Sequence, residues 1–396
     1  MEKAQYDVVV CGAGVAGVAA AISAARQGAK TALIEKQCLL GGLATSGLIY
    51  VFLPLCDGHG NQVIYGIAEE MLKRCVEYGP FSVPEQWGGP KDGNPGCAEA
   101  KKGRYACCFS PAGFTLTLDK MLTEAGVDLW LDTAMIEVGK NGNAVSSVTV
   151  FNASGKVEIG GKCFVDATGG AYAVRLAGGK IYRTENRITP WVMEMAEDPS
   201  FFHFSGPLHI QGAWKSSGED GLDNCSGAAI FPDCGSGKAV TDFVRRSWQL
   251  IRRRYDSLET PEAKRQNYPV HLPTMPQLRK TGCIDALKVL RDEDRDKRFE
   301  DSVGLAGDWR RPGPVWDTPY RALVPRDVEN ILAAGRCIGT LEDAWEVYRV
   351  IPVAAMTGEA AGVAAALCAE QKVIPSGLDM KNLQRTLYAV RKKSKL

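Results

Sequence analysis

The sequence predicts an α/β fold in which a parallel sheet, flanked by helices, is assembled from distant stretches of chain, with a second region beside it. Three observations carry this. A glycine-rich turn joins an apolar strand to an Ala-rich helix within residues 6–28. A second apolar strand ends in Ala167-Thr168-Gly169. A third, over 328–339, runs through Ala334-Gly335-Arg336 into a helix of small residues. At 396 residues the chain exceeds the usual size of one domain, which makes two regions the expectation.

The first strand, Tyr6-Asp7-Val8-Val9-Val10-Cys11, is a short apolar run of the kind buried in parallel sheets. It enters Gly12-Ala13-Gly14-Val15-Ala16-Gly17, then a helix expected over 18–27 that stops at Gly28. The next strand, Thr31-Ala32-Leu33-Ile34, ends in Glu35. Strand, Gly-x-Gly-x-x-Gly, helix, strand and acid follow in the order of a Rossmann-like dinucleotide site. Gly12 allows the tight turn, Gly14 lets backbone approach a pyrophosphate, and Gly17 lets helix and strand pack closely. Val15 and Ala16 open the helix, whose N-terminus offers unpaired N–H groups to phosphate. Glu35 can accept hydrogen bonds from ribose hydroxyls. This fingerprint alone does not choose between NAD and FAD.

After Glu35 comes Lys36-Gln37-Cys38-Leu39-Leu40-Gly41-Gly42-Leu43-Ala44-Thr45-Ser46-Gly47, a glycine loop with small hydroxyl residues. A helix is expected over 114–125 and apolar strands over 127–131 and 146–151. Another strand delivers Asp166-Ala167-Thr168-Gly169 to a turn. Near the end, Ala334-Gly335-Arg336 precedes Tyr348-Arg349-Val350-Ile351-Pro352 and a helix from Val353 that holds Ala354, Gly358 and Gly362. Pro352 suits a first helical turn. The apolar run 353–368 carries Glu359 and falls short of the ~20 residues that cross a bilayer, so it reads as a buried helix.

At these residues the chain resembles the FAD-dependent oxidoreductases of the glutathione-reductase type, especially the branch with fumarate reductase and succinate dehydrogenase flavoproteins. The likeness covers roughly 5–55, 111–175 and 315–390, and is most specific in PYRALVP…ENILAAGRCIG…YRVIPVAAMTGEAAGVAAAL. It implies one FAD. Lys36, Gly41, Gly42, Ala44, Thr45 and Ser46 would run along its pyrophosphate and ribityl chain. Ala167, Thr168 and Gly169 would lie near the adenosine half, and the strand at Met135 would present backbone to adenine. Gly335, Arg336, Arg349, Ile351, Val353 and Ala354 would close on the flavin, with a positive helix end at the N1–C2 carbonyl edge. That branch often joins flavin covalently to a histidine just after the ribose acid. Gln37-Cys38-Leu39-Leu40 has none, so non-covalent FAD is expected. Many relatives carry an isoleucine–aspartate–histidine run where this chain reads Arg310-Arg311-Pro312, so no histidine carries over.

Both ends of the chain must then meet at one cofactor. This predicts a discontinuous FAD domain over 1–55, 106–178 and 318–396, and a substrate-facing cap over 56–105 and 179–317. Within the cap, the Gly/Pro-rich stretch 80–105 reads as a lid or binding loop and 240–255 as an amphipathic helix.

For catalysis the candidates are Arg349 and Tyr348, beside the flavin-side helix, and His59 as a proton donor. The function expected is hydride transfer between a small organic substrate and flavin N5, as a dehydrogenase or reductase. Alternatives are a flavin monooxygenase using NAD(P)H and oxygen, and a non-redox FAD-binding protein. The net charge of +1 gives no electrostatic reason for nucleic acid or membrane as partner. Electron partner and oligomeric state stay open. Thirteen cysteines without Cys-x-x-Cys, and four histidines without metal-type spacing, predict reduced thiols and no metal site. A strand pattern from Asp7 in place of a leader predicts a cytoplasmic protein.

Overall fold

Alternation of apolar runs with an Ala-rich helix builds the expected sheet. The computed structural model describes residues 2–83, 106–196, 203–205, 208–211, 230–231 and 234–393. Most of the loop read over 80–105 lies outside them. In chain order the main elements are β1 (Glu2–Cys11), α1 (Val15–Arg26), β2 (Thr31–Ile34), α2 (Pro111–Ala125), β3 (Asp128–Trp130), β4 (Ala134–Asn141), β5 (Ala144–Asn152) and β6 (Gly155–Asp166). Then come β7 (Val192–Met195), β8 (His203–Ser205), β9 (Leu208–Gln211), α3 (Gly237–Asp256), β10 (Tyr268–His271), β11 (Ser302–Gly307), β12 (Val315–Pro319), β13 (Ile331–Ala333), α4 (Glu342–Tyr348) and α5 (Ile351–Gln371).

The main sheet runs β3-β2-β1-β6 in parallel. Along the free edge of β6, β13 pairs in parallel with its C-terminal half and β5 antiparallel with its N-terminal half; β4 follows β5. Residues near both chain ends thus meet in one sheet. Val8, Val9, Val10, Leu33, Phe164, Val165 and Leu332 are fully buried, as strands covered on both faces should be. Helix α2 starts three residues before the sequence expectation because Pro111 takes the first turn and Ser110 Oγ accepts from Gly113 N at 3.2 Å.

Helix α5 is long and apolar enough to cross a membrane, yet nearly all of that stretch is buried in the protein. Its small residues explain how. A Cβ added to Gly358 would lie 2.2 Å from Ala16 O, and one on Gly362 2.1 Å from Ala20 O, so α5 and α1 touch backbone to backbone. Elsewhere β8-β9-β7-β10 form a separate antiparallel sheet. The fully buried Glu194 of β7 is tied to α3 by two bonds from Arg254, at 2.9 and 2.7 Å, and one from Tyr255 at 2.7 Å.

Candidate functional site

Parallel strands that end together leave their following loops together, and here the backbone bonding continues one residue past each strand. Gly12 N donates to Ile34 O at 2.8 Å, Ala167 N to Cys11 O at 2.9 Å, and Ala334 N to Asp166 O at 3.0 Å. Three glycine-containing loops therefore leave side by side at the carboxyl edge of the sheet, where open α/β folds place their ligands. They wall a cleft.

The first wall is Gly12, Gly14, Val15 and Ala16. Gly12 has φ +96°, and a Cβ there would sit 2.7 Å from Ala167 O, so only glycine fits. Gly14 has nothing within 4 Å of its Cβ position. No side chain caps α1 and its first turn holds no acid, so its opening N–H groups remain available to an anion. Gly41, Gly42, Leu43 and Ala44 line the cleft from the next loop, pinned by Gly41 N donating to Ala13 O at 2.8 Å. Glu35 and Lys36 lie at the end of β2. The Glu35 carboxylate accepts from Ala13 N at 2.7 Å and Gln37 N at 3.0 Å, and burial pushes its pKa above the ordinary value.

Ala167, Thr168 and Gly169 form the second wall. The buried Asp166 holds them: its carboxylate accepts from Thr168 N at 3.0 Å, Thr168 Oγ1 at 2.6 Å and Val174 N at 2.9 Å. Gly335, Arg336, Arg349, Ile351 and Ala354 form the third, at the start of α5, which also lacks a side-chain cap. Arg336 ties the second and third walls, donating from Nε to Gly169 O at 2.8 Å and from Nη1 to Leu278 O.

Seven expected residues lie off the cleft lining. Gly17 sits behind it, where a Cβ would meet Gly12 O at 1.7 Å, so its task is packing. Thr45 is buried with its hydroxyl donating to Leu40 O, and Ser46 is fully buried; the 3-10 turn Gly42–Ala44 carries both inward. Met135 pairs with Val150 inside the β4–β5 ladder, and Val353 faces the core from α5. Tyr348 is fully buried, its hydroxyl shared with Thr318 Oγ1 at 2.9 Å and donating to Asp317 O at 3.2 Å, with the Trp316 ring edge-on at 6.5 Å. Burial raises its pKa, and Thr318 and Asp317 take up its hydroxyl. His59, the other catalytic candidate, is exposed on a loop and also outside the lining; its amide is bonded to Asp57 at 2.8 Å.

Sequence reasoning missed the outer wall: Met275, Pro276, Leu278 and Thr281, with Val240 of α3 and Tyr172. It also missed a second cavity, of about 360 Å³, in the lower range for small-molecule sites. Arg279, Lys280, Trp309, Arg310, Glu346 and Arg349 line it. Arg349 lines both spaces. Its Nε donates to Glu346 at 2.6 Å, and its guanidinium stands 5.6 Å from the Trp309 ring centroid. Glu346 also takes Lys280 at 2.8 Å.

Arg310 is bound to Asp308 through Nε at 2.9 Å and Nη2 at 2.8 Å, and to Asp343. Burial alone would push Asp308 up, but the Arg310 bonds hold it below the usual carboxylate range; the same arginine lowers Asp343. A lowered folded pKa contributes stability above the unfolded value and loses it as pH falls through the folded one. Arg310→Leu is therefore expected to cost about 3 kcal/mol near pH 7, because among the described residues Asp308 is left buried with Arg311 as its one cation, beside the backbone N–H of residue 310. In urea titrations that difference should shrink below about pH 4, where wild type loses the same contribution.

The cleft fits FAD by the chemistry of its donors. The uncapped helix starts would hold phosphates, the fixed Glu35 carboxylate would take ribose hydroxyls, and the small residues would admit a flat ring. The chain matches the family model described as FAD dependent oxidoreductase over residues 7–207 and 232–387. An NADH:fumarate oxidoreductase of Klebsiella pneumoniae is 28% identical over 195 residues, 42% of this chain and 20% of that protein. A thioredoxin reductase of Ureaplasma parvum is 35% identical over 72 residues, 18% of this chain and 23% of that protein. The chain thus spans about a fifth of the length of the curated relatives it matches. A solved geranylgeranyl bacteriochlorophyll reductase-like structure from Thermoplasma acidophilum aligns with TM-score 0.50 and 15% identity, over 99% of this chain and 85% of that one, which is a likeness of fold. The chain belongs to the FAD dependent oxidoreductase family, an enzyme that carries FAD on a Rossmann-type sheet.

Proposed function

We propose that the enzyme is a dehydrogenase or reductase acting on a small organic molecule, with FAD held non-covalently. When bound, FAD supplies N5 as the atom that takes or gives a hydride. The observation that carries the reading is Arg349, which lines both the nucleotide cleft and the neighbouring cavity. A molecule in that cavity lies beside the cleft, and a fixed positive charge stands at the junction. Arg349 is oriented by Glu346 and by the Trp309 face, so little reorganisation is needed when negative charge develops there. Glu35 and the starts of α1 and α5 bind and orient the nucleotide. Absence of histidine from the loop after Glu35 supports a non-covalent hold.

The test is anaerobic. Purified yellow protein is mixed with candidate organic donors and the visible flavin band is followed. Bleaching by an organic donor, without NAD(P)H, is the expected result. Bleaching by NADPH alone, with oxygen consumed only when an organic substrate is added, would replace this reading with a monooxygenase. A flavin that no reductant in the panel bleaches would leave a non-redox FAD protein.

A further inference from the structure

We infer that the second cavity is built to take a carboxylate, and that Arg279 is the residue that receives it. This deepens the reading above and rests on its assignment of the cavity to substrate.

The cavity is lined by Arg187, Arg279, Lys280, Arg310 and Arg349 against two acids, Glu185 and Glu346. Most of these cations are spoken for. Arg310 is bound to Asp308 and Asp343, while Lys280 and Arg349 share Glu346. Arg279 differs. Its guanidinium makes one long bond, from Nη1 to Gln277 O at 3.3 Å, and no carboxylate pairs with it among the described residues. Two cations, Arg349 and Arg336, act on it more strongly than the one carboxylate in reach, Glu346, which Lys280 and Arg349 already share; among the described residues Arg336 is bonded to backbone carbonyls. A partly buried guanidinium beside two others is costly unless an anion completes the group.

The arrangement is held in advance. The Asn186 side chain is nearly fully buried; its Oδ1 accepts from Arg279 N at 3.0 Å and from Lys280 N at 2.9 Å, and its Nδ2 donates to Lys280 O. One side chain therefore clamps the backbone on which both cations stand. Desolvation first, and the two neighbouring arginines second, draw Arg279 down to about 9, so it stays charged near neutral pH while gaining from an incoming anion. A planar guanidinium matches a carboxylate with two parallel bonds. Since Arg349 stands between this group and the cleft, a carboxylate on Arg279 would hold the rest of a small acid toward the cofactor.

The experiment uses the FAD-loaded protein and calorimetric titration with acetate, lactate, succinate and benzoate, with their amides as neutral isosteres and inorganic phosphate as a second anion. At least one acid should bind while its amide does not, and binding should weaken with added salt. Arg279→Gln should weaken that acid by about tenfold or more, and Arg279→Lys by less. Both variants should keep the wild-type flavin spectrum, because Arg279 is outside the cleft lining. Failure of every acid to bind wild type would overturn the inference. So would tighter binding of phosphate than of any acid, or equal affinity in the spectrally intact glutamine or lysine variant. If acids bind through Arg279 but none exchanges electrons with the flavin, the carboxylate site stands and the hydride reading falls. If only uncharged donors bleach the flavin and no acid binds, the reverse holds.

Discussion

Gly14→Val will yield a folded but colourless protein. Gly14 has φ −64° and ψ 175°, ordinary extended backbone that valine adopts without strain. Its Cβ position has no neighbour within 4 Å, so the branch point of a valine meets open space. Gly14 lines the cleft at the uncapped start of α1, so the methyls would take the space that a pyrophosphate approaching the backbone needs. The apoprotein should match wild-type apoprotein within about 0.5 kcal/mol in urea unfolding, while FAD affinity falls by more than about a hundredfold. Gly17→Val gives the contrasting outcome. Its Cβ would lie 1.7 Å from Gly12 O and close to the Ala167 side chain, so the first turn of α1 has to move. That overpacking costs about 1–3 kcal/mol or more in the apoprotein itself, and FAD is lost as a consequence. Two glycines of one motif thus do different work: Gly14 leaves the space above the start of α1 open, while Gly17 lets helix sit against strand. A Gly14→Val protein that retains a full complement of FAD after gel filtration would show that the phosphates lie elsewhere.

The residues legible in the sequence were those whose role is set by near neighbours. β1, the glycine turn, α1, β2 and Glu35 are consecutive, and their periodicity and spacing carry the fold and the cleft's first wall. Ala167-Thr168-Gly169 and Gly335-Arg336 were legible because strand ends announce themselves in apolar runs that stop at glycine. Roles fixed by three-dimensional convergence were not. Thr45 and Ser46 have the right chemistry for a cofactor loop, but the turn at Gly42–Ala44 rotates them into the core. Tyr348 stands next to Arg349 in sequence, yet on the short helix α4 it points to Thr318 while the arginine reaches the cavity. Arg279 sits in a stretch without any motif. Its place depends on Asn186, Arg336 and Arg349, which lie from 57 to 93 positions away and meet it only in the folded chain.

Arg349→Leu is expected to leave FAD in place and slow flavin reduction by about a hundredfold to a thousandfold, measured with whichever donor bleaches the wild-type protein. Two roles compete for this arginine, since it lines the nucleotide cleft as well as the cavity. If it mainly held the cofactor, leucine would lower FAD content and leave the rate per bound flavin unchanged. The geometry favours the chemical role. Its Nε is spent on Glu346, its face rests near Trp309, and the remaining guanidinium edge is left for the junction. Removing it costs the fold little, about 1 kcal/mol or less, because Glu346 keeps Lys280 at 2.8 Å and the pair is partly solvated. Arg349→Lys should fall between: the charge survives, but the planar fork and its fit over the indole do not. Against Arg279→Gln, which is expected to raise KM, the Arg349 variants should lower kcat at saturating donor. That split separates a residue that captures the substrate from one that meets the charge as it moves.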